Sequence, residues 1–494
     1  MTTLGFTHGI EMEVQITDQK GGLLVGSGMK NIWIKMLEGV SKWLNSLPKQ
    51  NVPSIVLKKF GGARLVEVEK GDKRLQLVQI SYQLPSGESL KVDAFGPDPN
   101  IGTIHWILEL VTPPCETLEE LGFWCAHLYN LALSSLPRGY SIISLGLNPL
   151  SAEVYAGLTF GDHHHIGGFA NDTEKKAAYN LLRNFVPHLI GLTVNSPFIG
   201  AQPTSGSIRV TRNEGRLQIL GGKNTKSLRL THNKTQLGPI DVEHYIPYLS
   251  QFREERFNEA VSRGYPDNRL VDIFPFTRFN TIELRFFDCQ LSIRYRLAIT
   301  SLLQALCLKA VKLVRQGSKI LNISSSTLIN NREKAVEFGL LGRFFTEDTL
   351  DESFGFYNEN PFTGRKNSRM FEAVQSLLVW VWPEVLELGF VEDIKPLWVA
   401  CYGTDILSPP CGPADYLLYL YNNSGQNFEQ LVASLQDLTK KYCQDYFPDP
   451  LLETFGNPLS NNFLDLLDQI ATPKEEPPLF TASITLKRSS KFMP

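Results

Sequence analysis

The residues best suited to chemistry fall in four short stretches of the chain. Thr281-Ile282-Glu283-Leu284-Arg285-Phe286-Phe287 is rich in β-branched and aromatic residues and closed by Asp288, which predicts a strand. Side chains alternate along an extended chain, so Thr281, Glu283, Arg285 and Phe287 are expected on one face, with Ile282, Leu284 and Phe286 facing a core. Gly9 to Ile16 also alternates: Glu11, Glu13 and Gln15 oppose Ile10, Met12, Val14 and Ile16, putting two carboxylates roughly 7 Å apart along one face. Glu109 lies near the end of a third strand, 104–111, which Pro113 and Pro114 terminate. Gly161 to Gly168 contains three consecutive histidines; on a strand His163 and His165 share a face and His164 takes the other. Each stretch alone has an ordinary explanation: a surface ion pair, a solvated sheet face, or a polar strand end with incidental histidines.

Together they suggest one concave antiparallel sheet with an acidic wall. Hard oxygen ligands favour Mg²⁺ or Mn²⁺ over zinc, and neither HEXXH nor a CxxC pair is present. Crowded carboxylates raise each other's pKa unless cations neutralise them. Arg285 among them suits negative charge developing on a transferring phosphoryl group. The expectation is phosphoryl transfer from ATP, although the chain has no P-loop and no GxGxxG fingerprint. Arg209 either holds a substrate carboxylate or is a surface residue.

The elements that must position these groups belong to a chain of 494 residues, 43% hydrophobic and 20% charged, ample for a large core. Its 48 basic and 51 acidic residues are well mixed, giving a net charge of −3 and no basic run to bind nucleic acid. No stretch approaches the roughly 18 unbroken apolar residues of a membrane helix, so no membrane partner is expected. The start has neither a basic n-region nor an apolar h-region, and the seven cysteines form no CxxC pair; both favour a cytoplasmic location. Strands are expected over 64–68, 75–82 and 90–95. Helices are expected over 29–47, 117–132, 174–190 and 293–314, the second with Thr117 as N-cap and Glu120 as its capping-box partner. Residues 242–259 have no clear assignment, and 350–369 read as a loop. From 370 to 447 the pattern is helical, with breaks near Pro396, Pro409-Pro410 and Asn422-Asn423, and 472–494 read as a disordered tail.

Taken in order, Gly9-Ile10-Glu11-Met12-Glu13, Leu108 to Pro113, Gly161 to Gly167, Asn195-Ser196-Pro197-Phe198 and Arg278 to Arg285 resemble the motifs of the glutamate–cysteine ligase / carboxylate–amine ligase family. Arg278 to Arg285 is similar to that family's R-F-x-T-[IV]-E-x-R strand, and Gly161 to Gly167 to its G-x-H-V-H-x-G strand. The resemblance runs over about residues 5–380. It implies an α+β fold of glutamine-synthetase-like type: a curved antiparallel sheet, helices packed on one side, and ATP with two or three Mg²⁺ ions on the concave face. Its activity would be the activation of the γ-carboxylate of glutamate as an acyl phosphate, then attack by an amine, cysteine by default. Carried over by position, Glu11, Glu13, Glu109, Glu283 and His163 resemble metal ligands and His165 a metal or phosphate ligand. Arg285, with Glu283, would act at the γ-phosphate. Arg209 resembles the arginine that meets the amino-acid substrate, and Glu359, Asn360 and Arg365 a loop near the site.

Two departures stand out: His164 occupies a position usually apolar or aromatic, and the C-terminal part exceeds the compact bacterial members. The implied organisation is a catalytic domain over 1–380, a mostly helical extension over 381–471 and the tail. Other small amines, a peptide acceptor and a homo-oligomer stay open. So do a metal-dependent hydrolase, which would work without ATP, and a non-catalytic nucleotide-binding relative.

Overall fold

A computed structural model describes residues 3–24, 60–70, 73–83, 89–97, 108–151, 154–155, 159–204, 209–213, 216–220, 225–231, 272–274, 280–346, 359–402, 410–444, 449–456 and 461–471. The helix expected over 29–47, the unassigned segment 242–259 and the tail from 472 lie outside the described residues.

The strands along the first part of the chain are β1 (Thr3–Asp18), β2 (Phe60–Lys70), β3 (Lys73–Gln83), β4 (Ser89–Pro97), β5 (Leu108–Val111) and β6 (Cys115–Thr117). Helix α1 (Leu118–Ser135) follows, then β7 (Tyr140–Ile143), β8 (Val154–Tyr155), β9 (Gly161–Gly167) and helix α2 (Asp172–Thr193). After the short pair β10 (Phe198–Ile199) and β11 (Gln202–Pro203) come β12 (Arg209–Asn213), β13 (Arg216–Leu220), the one-turn helix α3 (Leu228–Thr231), β14 (Ile273–Phe274) and β15 (Ile282–Asp288). Ten of these strands form one antiparallel sheet in the order β14-β15-β9-β1-β5-β4-β3-β2, with β6 and β7 also paired to β1. This bears out the expected α+β class. β1 runs further in both directions than the expected 9–16, because the alternation continues back through Phe6 and His8.

One face of the sheet is apolar. Ile10, Met12, Val14, Leu108, Leu110, Ile282 and Leu284 are all essentially inaccessible to water. Against it pack α1, α2 and α4 (Ile293–Arg315). Thr117 caps α1, its hydroxyl accepting the Glu120 N–H at 3.1 Å, while Glu120 accepts the Glu116 N–H at 3.0 Å. Ser292 caps α4 in the same way through the Tyr295 N–H. By length and composition α4 could cross a membrane, but 72% of its most apolar window is buried inside the protein. After α5 (Ser325–Phe338), the stretch read as a loop contains a small hairpin, β16 (Glu359–Asn360) and β17 (Arg365–Lys366). The chain then continues through α6 (Met370–Trp380), α7 (Trp382–Leu388), α8 (Lys395–Tyr402), α9 (Pro413–Asn423), α10 (Phe428–Gln444), α11 (Pro450–Phe455) and α12 (Asn461–Ala471), broken near the expected prolines and asparagines. These helices share one hydrophobic cluster with the sheet, extending from Leu4 to Leu467 and including Trp124, Trp382 and Trp398.

The strand β15 departs from simple alternation. Between two points of its pairing, β9 advances two residues (His164 to Asp162) while β15 advances three (Leu284 to Phe287). The extra residue is a β-bulge, which reverses the faces beyond it. Phe287 therefore turns to the core, edge-on to His164 with ring centroids 4.8 Å apart, rather than sharing a face with Glu283 and Arg285. Asp288 takes the place expected of Phe287.

Candidate active site

Strand register collects the chemistry on the face opposite the core. Glu13 stands opposite Glu109, Glu11 opposite His163, and Glu283 opposite His165. Directly paired residues share a face, so the acidic groups of three strands and the two imidazoles of a fourth line up on one surface. His163 Nδ1 lies 3.4 Å from Glu11 Oε2 and its Nε2 3.8 Å from Glu13 Oε1. His165 Nε2 faces Glu11 Oε1 at 3.4 Å and Glu283 Oε1 at 3.9 Å, while its Nδ1 is 3.0 Å from the Thr281 hydroxyl. Arg285 Nη1 donates to Glu283 Oε1. The Gly161 N–H donates to Glu13 Oε2.

The electrostatics follow from this crowding. Burial acts to raise the Glu11 carboxyl, but His165 and His163 overcome it and hold Glu11 well below the usual carboxylate range. Burial likewise opposes ionisation of Glu283, and Arg285 with His165 brings it down. His163, buried and close to Arg285, falls to about 4 and is neutral at pH 7. His165 is raised despite burial, because Glu11 and Glu283 favour its charged form. The cationic Arg285 thus stands among ionised carboxylates, with His165 shifted toward its charged form, an arrangement suited to ligands that carry both cations and anions.

Glu11, His163 and Glu283 each offer a ligand atom within 4.8 Å of the others. A divalent ion fits this set: two carboxylates supply hard oxygens, and His165 Nε2 faces them at ion-pair distance without hydrogen-bond geometry. Glu13 and Glu109 extend the same acidic row. His164, by contrast, points into the core, its Nδ1 2.9 Å from His8 Nε2, where burial keeps it neutral. Its packing against Phe287 shows how an imidazole can replace an apolar residue there.

Three of the expected substrate residues lie elsewhere or remain open. Asn360 is buried, but its amide binds the hairpin to α6, donating to Glu372 O and Gln375 Oε1. Arg365 is exposed on β17. Among the described residues, no hydrogen bond or ion pair joins either to the acidic face. Arg209 lies on β12, in the three-stranded sheet β12-β13-β8, and its side chain is outside the described residues.

Arg229 on α3 is the residue the sequence did not single out. It is 8% exposed, donates through Nη2 to Arg285 O at 2.8 Å, and brings the same nitrogen within 3.4 Å of His163 Nε2. Asp288 anchors its surroundings, accepting from Asn195 N–H, Ser196 Oγ and Ser227 Oγ at 2.7, 2.8 and 2.9 Å. The Asn195-Ser196 motif is therefore part of the scaffold that seats Arg229. No local signal marks Arg229 itself, since its position depends on contacts distant in sequence.

The fold and face define an α+β protein with an acidic, imidazole-containing centre on an antiparallel sheet. Residues 104–336 match glutamate-cysteine ligase family 2 (GCS2). A protein of Herpetosiphon aurantiacus provisionally named glutamate–cysteine ligase 2 is 27% identical over 263 residues, 48% of this chain and 62% of its own length. A relative of Thermobifida fusca with the same provisional name is 22% identical over 316 residues, 58% of this chain and 71% of its own. Among solved structures, glutamate–cysteine ligase of Francisella tularensis in complex with AMP aligns with a TM-score of 0.48 at 10% identity, over 95% of this chain and 94% of that one. The complex between the prokaryotic ubiquitin-like protein Pup and its ligase PafA aligns with a TM-score of 0.39 at 12% identity, over 95% and 84%. Over these residues the chain is similar to the glutamate–cysteine ligase family, the family its motifs resemble. Its match spans about three-fifths of the length of the first such relative.

Proposed function

We propose that this chain is an ATP- and Mg²⁺-dependent ligase that joins the γ-carboxylate of glutamate to an amine, with cysteine as the acceptor and γ-glutamylcysteine as the product. The observation that carries this reading is the convergence of Glu11, His163 and Glu283 on one sheet face, with Arg285 beside them, in a relative of that family. In the reaction, a carboxylate oxygen attacks the γ-phosphorus of ATP and ADP leaves. The amine nitrogen then attacks the carbonyl carbon of the acyl phosphate, phosphate leaves, and the nitrogen gives up a proton.

Glu11, Glu283 and His163, with Glu13 and Glu109 along the row, would hold Mg²⁺ (or Mn²⁺), which when bound would shield phosphate charge and act as a Lewis acid. The chain's own work would be orientation and charge neutralisation. Arg285 would meet the charge developing on the transferred phosphoryl group, and His165 would serve a phosphate oxygen or an ion. Arg209 would meet the amino-acid substrate; Asn360 and Arg365 have no part in this proposal. The seven unpaired cysteines, six of them buried, suit a reducing cytoplasm.

The test is release of ADP and phosphate from ATP with Mg²⁺ and L-glutamate, adding amines one at a time, with Glu283→Gln alongside. Release that requires glutamate and one amine, and is lost in Glu283→Gln, is the expected result. Metal-dependent hydrolysis without ATP would replace this reading with a hydrolase.

A further inference from the structure

Arg229 is a cation the acidic face does not account for. Its guanidinium is buried, and no carboxylate among the described residues forms an ion pair with it. Asp272 and Asp288 act on it through space, but their oxygens are hydrogen-bonded to other groups. Asp272 is held by Arg332 through two bonds of 2.7 and 3.1 Å, and Asp288 accepts from Asn195, Ser196 and Ser227. Nη2 is engaged by Arg285 O and His163, whereas the buried Nη1 has no hydrogen-bond partner among the described residues. A buried N–H without an acceptor is unfavourable unless a ligand supplies one.

The position is also built. The Ser196 hydroxyl lies 3.4 Å from the Arg229 N–H, and the Ser227 hydroxyl accepts the Leu230 N–H while donating to Asp288, so α3 is tied to the end of β15. A side chain at Gly161 would collide with the guanidinium, so the glycine leaves the room that Arg229 occupies. Effort of this kind around an unsatisfied guanidinium beside His163 and Arg285 favours a ligand over a structural role. A planar fork with a free N–H matches the oxygens of a carboxylate or a phosphoryl group.

We propose that Arg229 is a substrate-anion-binding residue, its Nη1 donating to an oxygen of the amino-acid carboxylate or of a phosphate. This rests on the ligase reading for the identity of the anions, and on the geometry alone for the existence of the site.

The test is equilibrium binding of two probes, L-glutamate and inorganic phosphate, each with Mg²⁺ present, to the wild-type protein, Arg229→Gln and Arg229→Lys. Thermal unfolding is recorded without either probe. Arg229→Gln is expected to weaken one probe or both at least tenfold; a loss confined to glutamate names a carboxylate, and one confined to phosphate a phosphoryl group. Arg229→Lys, which keeps the charge but loses the fork, is expected to fall between. Without probes Arg229→Gln is expected to melt somewhat lower than wild type, because its bond to Arg285 O is lost, but to stay folded at the temperature of the binding measurement. Equal affinities in wild type and Arg229→Gln, or no binding of either probe to wild type, would overturn the proposal. Should Arg229→Gln fail to fold, wild-type affinities in Arg229→Lys would do the same. ATP turnover is measured separately. Its absence alongside Arg229-dependent binding would defeat the ligase and leave the anion site, and the converse result would do the reverse.

Discussion

Glu11 and His163 face each other across β1 and β9, with 3.4 Å between Oε2 and Nδ1. The contact of Arg229 with His163 Nε2 suits a neutral ring that directs its Nδ1 proton at Glu11. Glu11 is thereby the acidic group shared by both imidazoles, and the centre depends on it most.

Replacing Glu11 with Gln keeps its shape and removes its charge. Mg²⁺ affinity is expected to fall by at least the ~10–100-fold typical of losing a group that merely supports a metal ligand. The Mg²⁺ dependence of ADP release, together with direct titration of Mn²⁺, would measure it. An unchanged metal dependence would remove Glu11 from the proposed ligand set.

Acid should unfold this protein early. Burial depresses His8 and His188 to about 3, and His127 and His164 well below the ordinary imidazole value. Groups depressed on folding contribute stability that is complete above the unfolded pKa of about 6.5 and is lost as pH falls below it. Each such histidine costs about 1.4 kcal/mol per pH unit in that range. Asp288, which burial raises to about 6, works the other way, losing stability as pH rises from its ordinary value through 6, but four histidines outweigh it. The urea midpoint should therefore drop steeply between pH 6.5 and 5.5; a flat profile there would contradict neutral burial.

Much of the site was legible because a strand's period of two is local. Glu11 and Glu13, His163 and His165, and Glu283 and Arg285 could each be put on one face from alternation alone. What alternation cannot reveal is register, so the pairing of Glu13 with Glu109 and of Glu283 with His165 appears only in the fold. The bulge in β15 is likewise a property of the pairing, and it reversed Phe287 and Asp288. Arg229 sits between two leucines on a single helical turn, and only Asp288, Ser196 and Ser227 make it part of the site. Asn360, expected near the substrate from a family-like motif, gives its amide to α6, a contact that no local pattern reveals.

Behind the sheet, Asp162 and Arg296 form a fully buried ion pair at 2.8 Å. Arg296 also donates to Tyr129 and Ser144, and Asp162 accepts the Gln290 N–H, so the pair ties β9 to α1, α4 and the residue that follows β7. Asp162→Asn leaves a buried guanidinium without its anion and is expected to cost about 3–5 kcal/mol by urea denaturation. The double change Asp162→Leu with Arg296→Met should cost less than the sum of the two single changes, because neither charge is stranded. Additive losses would mean that the pair is not coupled.

Gly161 touches both the acidic row and the Arg229 guanidinium. Its N–H supports Glu13, it pairs with Asp288, and a Cβ there would lie 2.9 Å from Phe287 O while displacing the Arg229 guanidinium. The arginine can swing aside, but the carbonyl belongs to the β15 backbone and cannot. Gly161→Ala is therefore expected to fold with a loss of about 1–3 kcal/mol, typical of overpacking. It should also weaken the same probe that Arg229→Lys weakens, although no charge has changed. Thermal unfolding and probe binding on this variant separate the two effects. Lower stability with unaltered binding would mean that Arg229 keeps its place without Gly161, whereas wild-type behaviour in both would contradict the close packing itself.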